Sequence, residues 1–204
     1  MITIVDYGLG NIRAFVNVYK RLNLEARTAS KAEELEGSSK LILPGVGTFD
    51  HAMGRLNESG MREPLEDLVL VQGIPVLGIC VGMQMLARSS EEGRSGGLGW
   101  ISGDVRSFRS REAFSGLPLP HMGWNEVRQS VRGRLFEKVD SGARFYFLHS
   151  YFLDCDYPAD SLAVAEYGIE FSCAVNKGNI FGVQFHPEKS HRAGTQVLRN
   201  FGEM

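Results

Sequence analysis

Two short stretches carry the groups best equipped for chemistry. One is Ile74-Pro-Val-Leu-Gly-Ile-Cys-Val-Gly82, an apolar run ending in a cysteine between two glycines; the other is Gly182-Val-Gln-Phe-His-Pro-Glu188. Together Cys80, His186 and Glu188 supply what acyl transfer needs: a nucleophile, a proton shuttle and a carboxylate that fixes the shuttle's tautomer. Gly-x-Cys-x-Gly has the form of a nucleophile elbow, where glycines let a helix pack closely around a strained residue presented at a strand's end. Taken singly, a free cysteine is commonly a small buried hydrophobe, and a histidine can be purely structural. The elbow glycines and the nearby glutamate select the reactive reading. The thiolate is the attacking species, and a helix starting near Met83 would turn its positive end toward the sulfur. Residues two apart in an extended segment share a side and Pro187 fixes its own φ, so Glu188 is expected beside His186.

A second loop, Pro44-Gly45-Val46-Gly47, follows the apolar residues Leu41 to Leu43. Ligands of open α/β sheets bind at the C-terminal ends of strands, where a glycine-rich turn can aim backbone N–H groups at them. The N–H groups of Gly45, Val46 and Gly47, with that of Val81 just after the nucleophile, are candidates for an oxyanion hole. Without Cys80 the same residues would signify an ordinary tight turn.

These groups need elements to carry them. Ile2 to Val5 reads as a strand, Asp6 to Asn11 as a turn-rich loop, and Asn11 as the cap of a helix with Ile12, Phe15, Val16, Tyr19 and Leu22 on one face. Gly8-x-Gly10 after a strand suggests a dinucleotide site, but Arg13 stands where the third glycine is needed, which argues against nucleotide. A weaker strand around Glu25 to Ala29 and a charged helix from Lys31 to Glu36 follow, then helices beginning at Thr48 and spanning Met61 to Val71. Ser89 to Gly99, rich in Gly, Ser and Glu, reads as a surface loop able to approach the nucleophile. Beyond it Val105, Phe108, Val127, Phe145, Phe147, Val164, Phe171, Ala174, Ile180 and Val183 lie in short alternating segments, the signature of antiparallel strands. Leu117 to Pro120 is a non-helical connector and Gly194 to Phe201 a closing helix. The expected fold is α/β: an open, mostly parallel sheet flanked by helices, with antiparallel strands added in the C-terminal half and residues 1–204 forming a single domain.

Composition narrows the function. With 204 residues, 43% hydrophobic, 23% charged and a formal charge of −2, the chain has ordinary globular values and no nucleic-acid footprint. Arg106, Arg109, Arg111, Arg128, Arg132 and Arg134 make one region locally basic, without interleaved stacking aromatics; a solvated face is expected there, or a docking surface. Cys80, Cys155 and Cys173 are too few and too odd for a disulfide framework, which points to a reducing cytoplasm. No signal peptide or membrane span is expected. His121 and His149 lack zinc-like partners in the sequence, so neither metal nor cofactor is expected. Trp124 and Tyr146 suit a recognition surface as readily as core filling.

The motifs Leu-Gly-Ile-Cys80-Val-Gly-Met-Gln, Gln-Phe-His186-Pro-Glu188-Lys-Ser and Pro44-Gly-Val-Gly together resemble class I glutamine amidotransferases. Asp6-Tyr-Gly-x-Gly-Asn11 and His121-Met-Gly-Trp-Asn125 narrow the resemblance to the glutaminase subunits of histidine biosynthesis, over the whole chain. Val81 stands where leucine is usual. The resemblance implies a flavodoxin-like sheet and hydrolysis of glutamine to glutamate and ammonia. It also implies a heterodimer with a HisF-type (β/α)8 cyclase subunit, which uses the ammonia to make imidazole glycerol phosphate and AICAR. Gln84 and Glu92 match positions that hold the substrate's amino acid end, and Ser150 and Tyr151 a loop that contacts it through backbone. Asn11, Trp124, Tyr146 and Lys189 match positions near the cyclase. Other synthases, for anthranilate or pyridoxal phosphate, use the same triad, and a non-catalytic docking subunit or a cysteine peptidase of related architecture would be rival readings.

Overall fold

Short apolar runs of the first half become parallel strands because the segments between them carry the chain back across the sheet. In the computed structural model, which describes residues 1–114, 116–131 and 133–204, this half runs β1 (Ile2–Val5), α1 (Ile12–Arg21), β2 (Ala26–Ala29), β3 (Lys40–Gly45), α2 (Phe49–Glu58), α3 (Arg62–Glu66), β4 (Val76–Cys80) and α4 (Val81–Gln84). Arg132 of the basic region lies outside the described residues. β1 pairs in parallel with β2 and β3, and β3 with β4. α1 buries Phe15, Val18 and Tyr19, as its helical spacing requires.

Several boundaries differ from the sequence reading. Asn11 does occupy the N-cap position, but its side chain makes no capping hydrogen bond. The charged segment after β2 is a 3-10 turn, Ala32–Leu35, with only Leu35 buried, too small an apolar face for a longer helix. The helix expected over Met61 to Val71 widens after α3 into a π-turn, Asp67–Val71. That widening keeps Leu65, Leu68 and Val69 buried and leaves Leu70 and Val71 exposed. β3 extends through Pro44 and Gly45, so the turn begins later than the apolar pattern implied.

The second half runs β5 (Gly103–Ser107), β6 (His121–Glu126), β7 (Arg128–Gln129), β8 (Arg144–His149), β9 (Tyr151–Cys155), β10 (Ser161–Tyr167), β11 (Ile169–Lys177), β12 (Ile180–Val183) and α5 (His191–Glu203). β12 inserts parallel to β4, and the order β2-β1-β3-β4-β12-β11-β10-β7 continues antiparallel beyond it. β9 joins β11 and β5, while β6 and β8 form a separate antiparallel ribbon. The α/β architecture with antiparallel additions therefore holds. Among the described residues no helix is long and apolar enough to cross a membrane.

Three glycines let β3, β4 and α4 touch through backbone. A Cβ at Gly78 would stand 2.6 Å from the Gly82 oxygen, one at Gly82 1.9 Å from the Leu43 oxygen, and one at Gly45 2.3 Å from the Gly82 nitrogen. None of these obstacles is a movable side chain. Gly82→Ala is expected to cost about 3 kcal/mol of stability, as overpacking does; a urea midpoint equal to that of the parent would refute this close packing.

Candidate active site

The elbow brings Cys80 to the C-terminal edge of the sheet with φ 56° and ψ −115°, a left-handed conformation that non-glycine residues adopt only when their surroundings enforce it. Parallel register does the rest. Gly45 of β3 pairs with Cys80 on one side, and on the other Val183 of β12 pairs with Ile79, so the chain leaving β12 passes the sulfur. Gln184 and His186 both lie in that passing segment.

His186 Nδ1 lies 3.1 Å from Glu188 Oε1, an arrangement that leaves Nε2 free for other work. The Glu188 side chain is 2% exposed, and its second oxygen has no partner among the described residues. The His186 main chain is held from both sides: its N–H donates to the Tyr146 carbonyl at 2.9 Å, and Ser190 Oγ donates to its carbonyl at 2.6 Å. Ser190 Oγ in turn accepts from the Tyr146 N–H at 3.0 Å. Burial by itself pushes the imidazole pKa down. Hydrogen bonding to Cys80 and to Glu188, with the charge of each, more than reverses this and raises it to about 9. The ring therefore carries its second proton at neutral pH, beside the sulfur. α4 is a single turn of four residues, so it offers the sulfur little of the helix-end field expected from the sequence.

The sulfur is in longer-range contact with the Leu148 carbonyl and with Gln184 Nε2, each at 3.8 Å. Gln184 was not singled out from sequence. Its signal in the sequence is a polar residue between the apolar Val183 and Phe185, two positions before His186; in the fold it is fully buried in the bend that follows β12.

Of the positions matched to substrate, Gln84 is buried and donates to the Tyr151 carbonyl at 3.1 Å and to Gln184 Oε1 at 3.0 Å. Both its amide hydrogens are thus used within the protein, leaving only Oε1 for a ligand. Glu92 Oε2 accepts the Phe49 N–H at 2.8 Å at the start of α2, and Asp50 accepts from the Arg94 and Ser95 N–H groups. The Ser89 to Gly99 loop is thereby fastened to α2, and partial burial raises the Glu92 pKa despite that N–H. The Ser150 carbonyl accepts from the Phe108 N–H at 3.4 Å, and the Tyr151 carbonyl already has two donors, Gln84 Nε2 at 3.1 Å and His149 Nδ1 at 2.8 Å.

In the candidate oxyanion loop, Tyr7 Oη donates to the Pro44 carbonyl at 2.6 Å and Gly45 is packed on the elbow. Val46 is 39% exposed, and Gly47 has φ 88°, a conformation suited to glycine. Trp124, Tyr146 and Lys189 come together at the surface. Trp124 lies 6.2 Å from the Tyr146 ring and stacks on His191 at 4.9 Å, and Lys189 Nζ sits 5.7 Å above Tyr146. Asn11 is exposed at the head of α1, a helix that packs against the Pro187–Lys189 turn. Val81, one residue beyond the sulfur, is buried.

His121 and His149 face each other across β6 and β8, with Nδ1 to Nε2 at 3.0 Å, too close to admit an ion between them. No group of three metal-ligating side chains occurs among the described residues. Burial pushes His121 from 6.5 down to about 4, and burial with the neighbouring imidazole charge pushes His149 down to about 3. Unfolded rings take up protons near pH 6.5 that the folded pair refuses until about pH 4. Stability is therefore expected to fall as the pH drops through that window, by up to about 1.4 kcal/mol per pH unit for a ring. Denaturation midpoints that stay flat over this range would contradict the neutral pair.

The sequence profile described as glutamine amidotransferase class-I matches residues 3–204. A protein of Bdellovibrio bacteriovorus named imidazole glycerol phosphate synthase subunit HisH is 61% identical over 204 residues, covering 100% of each chain. One of the same name from Leptospira interrogans is 52% identical with the same coverage. A Pseudomonas aeruginosa protein named subunit HisH 2 is 43% identical, again over 100% of each. Among solved structures, a crystal structure described as a glutamine amidotransferase superposes with TM-score 0.75 at 21% identity, covering 99% of this chain and 97% of that one. The structure described as PurLQS from Thermotoga maritima gives TM-score 0.73 at 14% identity, covering 98% and 96%. These last two speak to the fold alone.

Proposed function

Since the chain belongs to the class-I glutamine amidotransferase family, we propose that it is the glutaminase subunit of an imidazole glycerol phosphate synthase, the complex for which its nearly full-length relatives are named. The observation that carries the chemistry is the convergence of Cys80 with the Glu188-bound His186 on one edge of the sheet.

In the proposed reaction Cys80 Sγ attacks the side-chain amide carbon of glutamine. The carbonyl oxygen becomes an oxyanion, taken up by the N–H of Val81 and by N–H groups of Gly45, Val46 and Gly47. His186, already protonated, gives its proton to the departing nitrogen as the C–N bond breaks, releasing ammonia and leaving a glutamyl thioester. The ring then takes a proton from water, whose oxygen attacks the thioester carbon. Collapse of that intermediate releases glutamate and returns the sulfur. Glu188 stabilises the imidazolium and holds its Nδ1 proton in place. Gln84, Glu92, Ser150 and Tyr151 line the approach of the amino acid end in this reading.

The ammonia passes to a HisF-type (β/α)8 cyclase, because in bulk water at neutral pH it would be protonated and lose its nucleophilic lone pair. The ribbon of β6 and β8 suits that partner. It exposes Met122 by 66%, Trp124 by 38% and Leu148 by 38%, next to Tyr146 and Lys189, and an apolar patch of this kind favours burial against another protein. In this proposal the loaded cyclase also turns N–H groups of the Val46 to Gly47 segment inward, completing the oxyanion hole. A cytoplasmic setting fits the three free cysteines.

The test follows glutamate release from glutamine by the chain alone, with the cyclase, and with the cyclase plus its nucleotide ligand. Release that rises strongly only in the third mixture is expected. Equal stimulation by an anthranilate or pyridoxal phosphate synthase would overturn the assignment.

A further inference from the structure

The reaction above makes no use of His121 and His149, although both are buried and both lie close to the segment that contacts the amino acid end of the substrate. The hydrogen bonds at the two ends of the pair settle where their protons sit. Asn125 Nδ2 is 2.8 Å from the Glu166 carbonyl and 3.3 Å from His121 Nε2. A backbone carbonyl can only accept, so this contact identifies the NH2 end of the Asn125 amide, and the Glu126 N–H, 2.8 Å from Asn125 Oδ1, agrees. The NH2 therefore donates to His121 Nε2. A neutral ring with Nε2 accepting carries its proton on Nδ1, and that N–H points at His149 Nε2, 3.0 Å away. At the far end His149 Nδ1 is 2.8 Å from the Tyr151 carbonyl, again an obligate acceptor, so the second ring is protonated on Nδ1 as well.

All three donors thus point the same way, from Asn125 toward Tyr151. The Tyr151 carbonyl takes its second hydrogen bond from Gln84, which also donates to Gln184, whose Nε2 faces Cys80 Sγ. Aromatic packing holds the His121 ring on both faces: Tyr167 at 4.1 Å and 20°, Phe147 at 4.9 Å and 21°. The depressed pKa values of both imidazoles agree with a chain of neutral groups.

We propose that Asn125, His121 and His149 form a neutral, one-directional relay of positioning residues that locks the Tyr151 peptide and, through Gln84 and Gln184, fixes where glutamine sits relative to Cys80. The proposal rests on the reading of Cys80 as the nucleophile. With both lone pairs of the Tyr151 carbonyl filled, the Tyr151–Phe152 peptide plane cannot rotate, and the Gln84 amide stays fixed between that carbonyl and Gln184 Oε1, beside Cys80. Loss of the His149 bond frees that plane and weakens the hold on substrate more than it slows the bond-making step.

The test uses the chain together with its cyclase and three replacements of His149. His149→Asn places an amide N–H near the position of Nδ1, His149→Gln places its amide near Nε2, and His149→Phe keeps only the bulk. His149→Asn is expected to hold the KM for glutamine within about threefold of the parent. Gln and Phe are expected to raise it on the order of tenfold, the usual scale for leaving one buried acceptor short of a donor, with kcat changed less. Equal KM values in all three variants, or a loss confined to kcat, would overturn the relay. Nitrogen-15 spectra of the parent at neutral pH give a readout independent of variant folding: both rings are expected as Nδ1–H tautomers, and an Nε2–H or doubly protonated ring at either position would also overturn it. Cys80→Ala separates the two claims, since activity surviving in that variant would defeat the nucleophile assignment while leaving the tautomer result intact.

Discussion

Cys80→Ala lowers glutamate release by at least about 10^4-fold, the scale seen when the nucleophile of a coupled triad is removed. The expected loss is that large because no neighbouring group can take over: the other free thiols, Cys155 and Cys173, belong to β9 and β11 and lie outside the elbow. Burial also pushes Cys155 up to about 11 and Cys173 higher still, which keeps both protonated at neutral pH. Alanine fits the elbow's backbone and removes one atom from a site that is 4% exposed, so the melting curve should move little. Glutamate release is followed with the loaded cyclase present, and alkylation by iodoacetamide is mapped by mass spectrometry. Turnover within tenfold of the parent, or labelling of Cys155 ahead of Cys80, would remove the basis for the reaction proposed.

Glu188→Gln should lower kcat by roughly 10^3- to 10^4-fold, as replacing a triad carboxylate by its amide does elsewhere. The substitution keeps the shape and removes the charge. An amide can turn its NH2 toward His186 Nδ1, which then has to accept, and the ring presents the wrong tautomer to the sulfur. The carboxylate is also among the groups that hold His186 at about 9 against burial, so the alkaline limb of kcat/KM should move to lower pH in the variant. Stability gives a second reading. A folded-state pKa of about 9 against an ordinary 6.5 contributes stability that is complete below about pH 6.5 and disappears as the pH rises through about 9. That alkaline decline should shrink in Glu188→Gln. An unmoved limb with near-parental turnover would show that the 3.1 Å contact does not serve the reaction.

Much of the architecture was legible because local pattern and global role coincide. The runs around Ile2, Leu41 and Val76 are short, apolar and bounded by turns, and each became a buried parallel strand. The elbow was legible for the same reason, since Gly78 and Gly82 mark the places where backbone approaches backbone too closely for a Cβ. What escaped sequence reasoning depends on register. Nothing in the spacing of His121 and His149 says that they are directly opposed, because the chain between them leaves the ribbon to form β7 and the 3-10 turn Arg134–Phe136 before returning as β8. The internal partners of Gln84 were out of sight in its motif, because the Tyr151 carbonyl lies 67 positions and Gln184 100 positions further along the chain. The π-turn after α3 was invisible because Leu68 to Val71 is apolar throughout and offers no periodicity to decide between helical pitches.

The double clamp on His186 leaves an engineer of this protein an uneven choice. At Tyr146 the main chain grips the imidazole's residue directly and through Ser190, while the phenol ring belongs to the outward face with Trp124 and Lys189. Redesigning what docks on that face can therefore change the part of the ring turned toward Trp124 and Lys189, provided the replacement keeps the strand straight and fills the flank 6.4 Å from the imidazole. Insertions, prolines or slipped pairing at the same position would retune the proton shuttle even if every atom of the triad were left untouched.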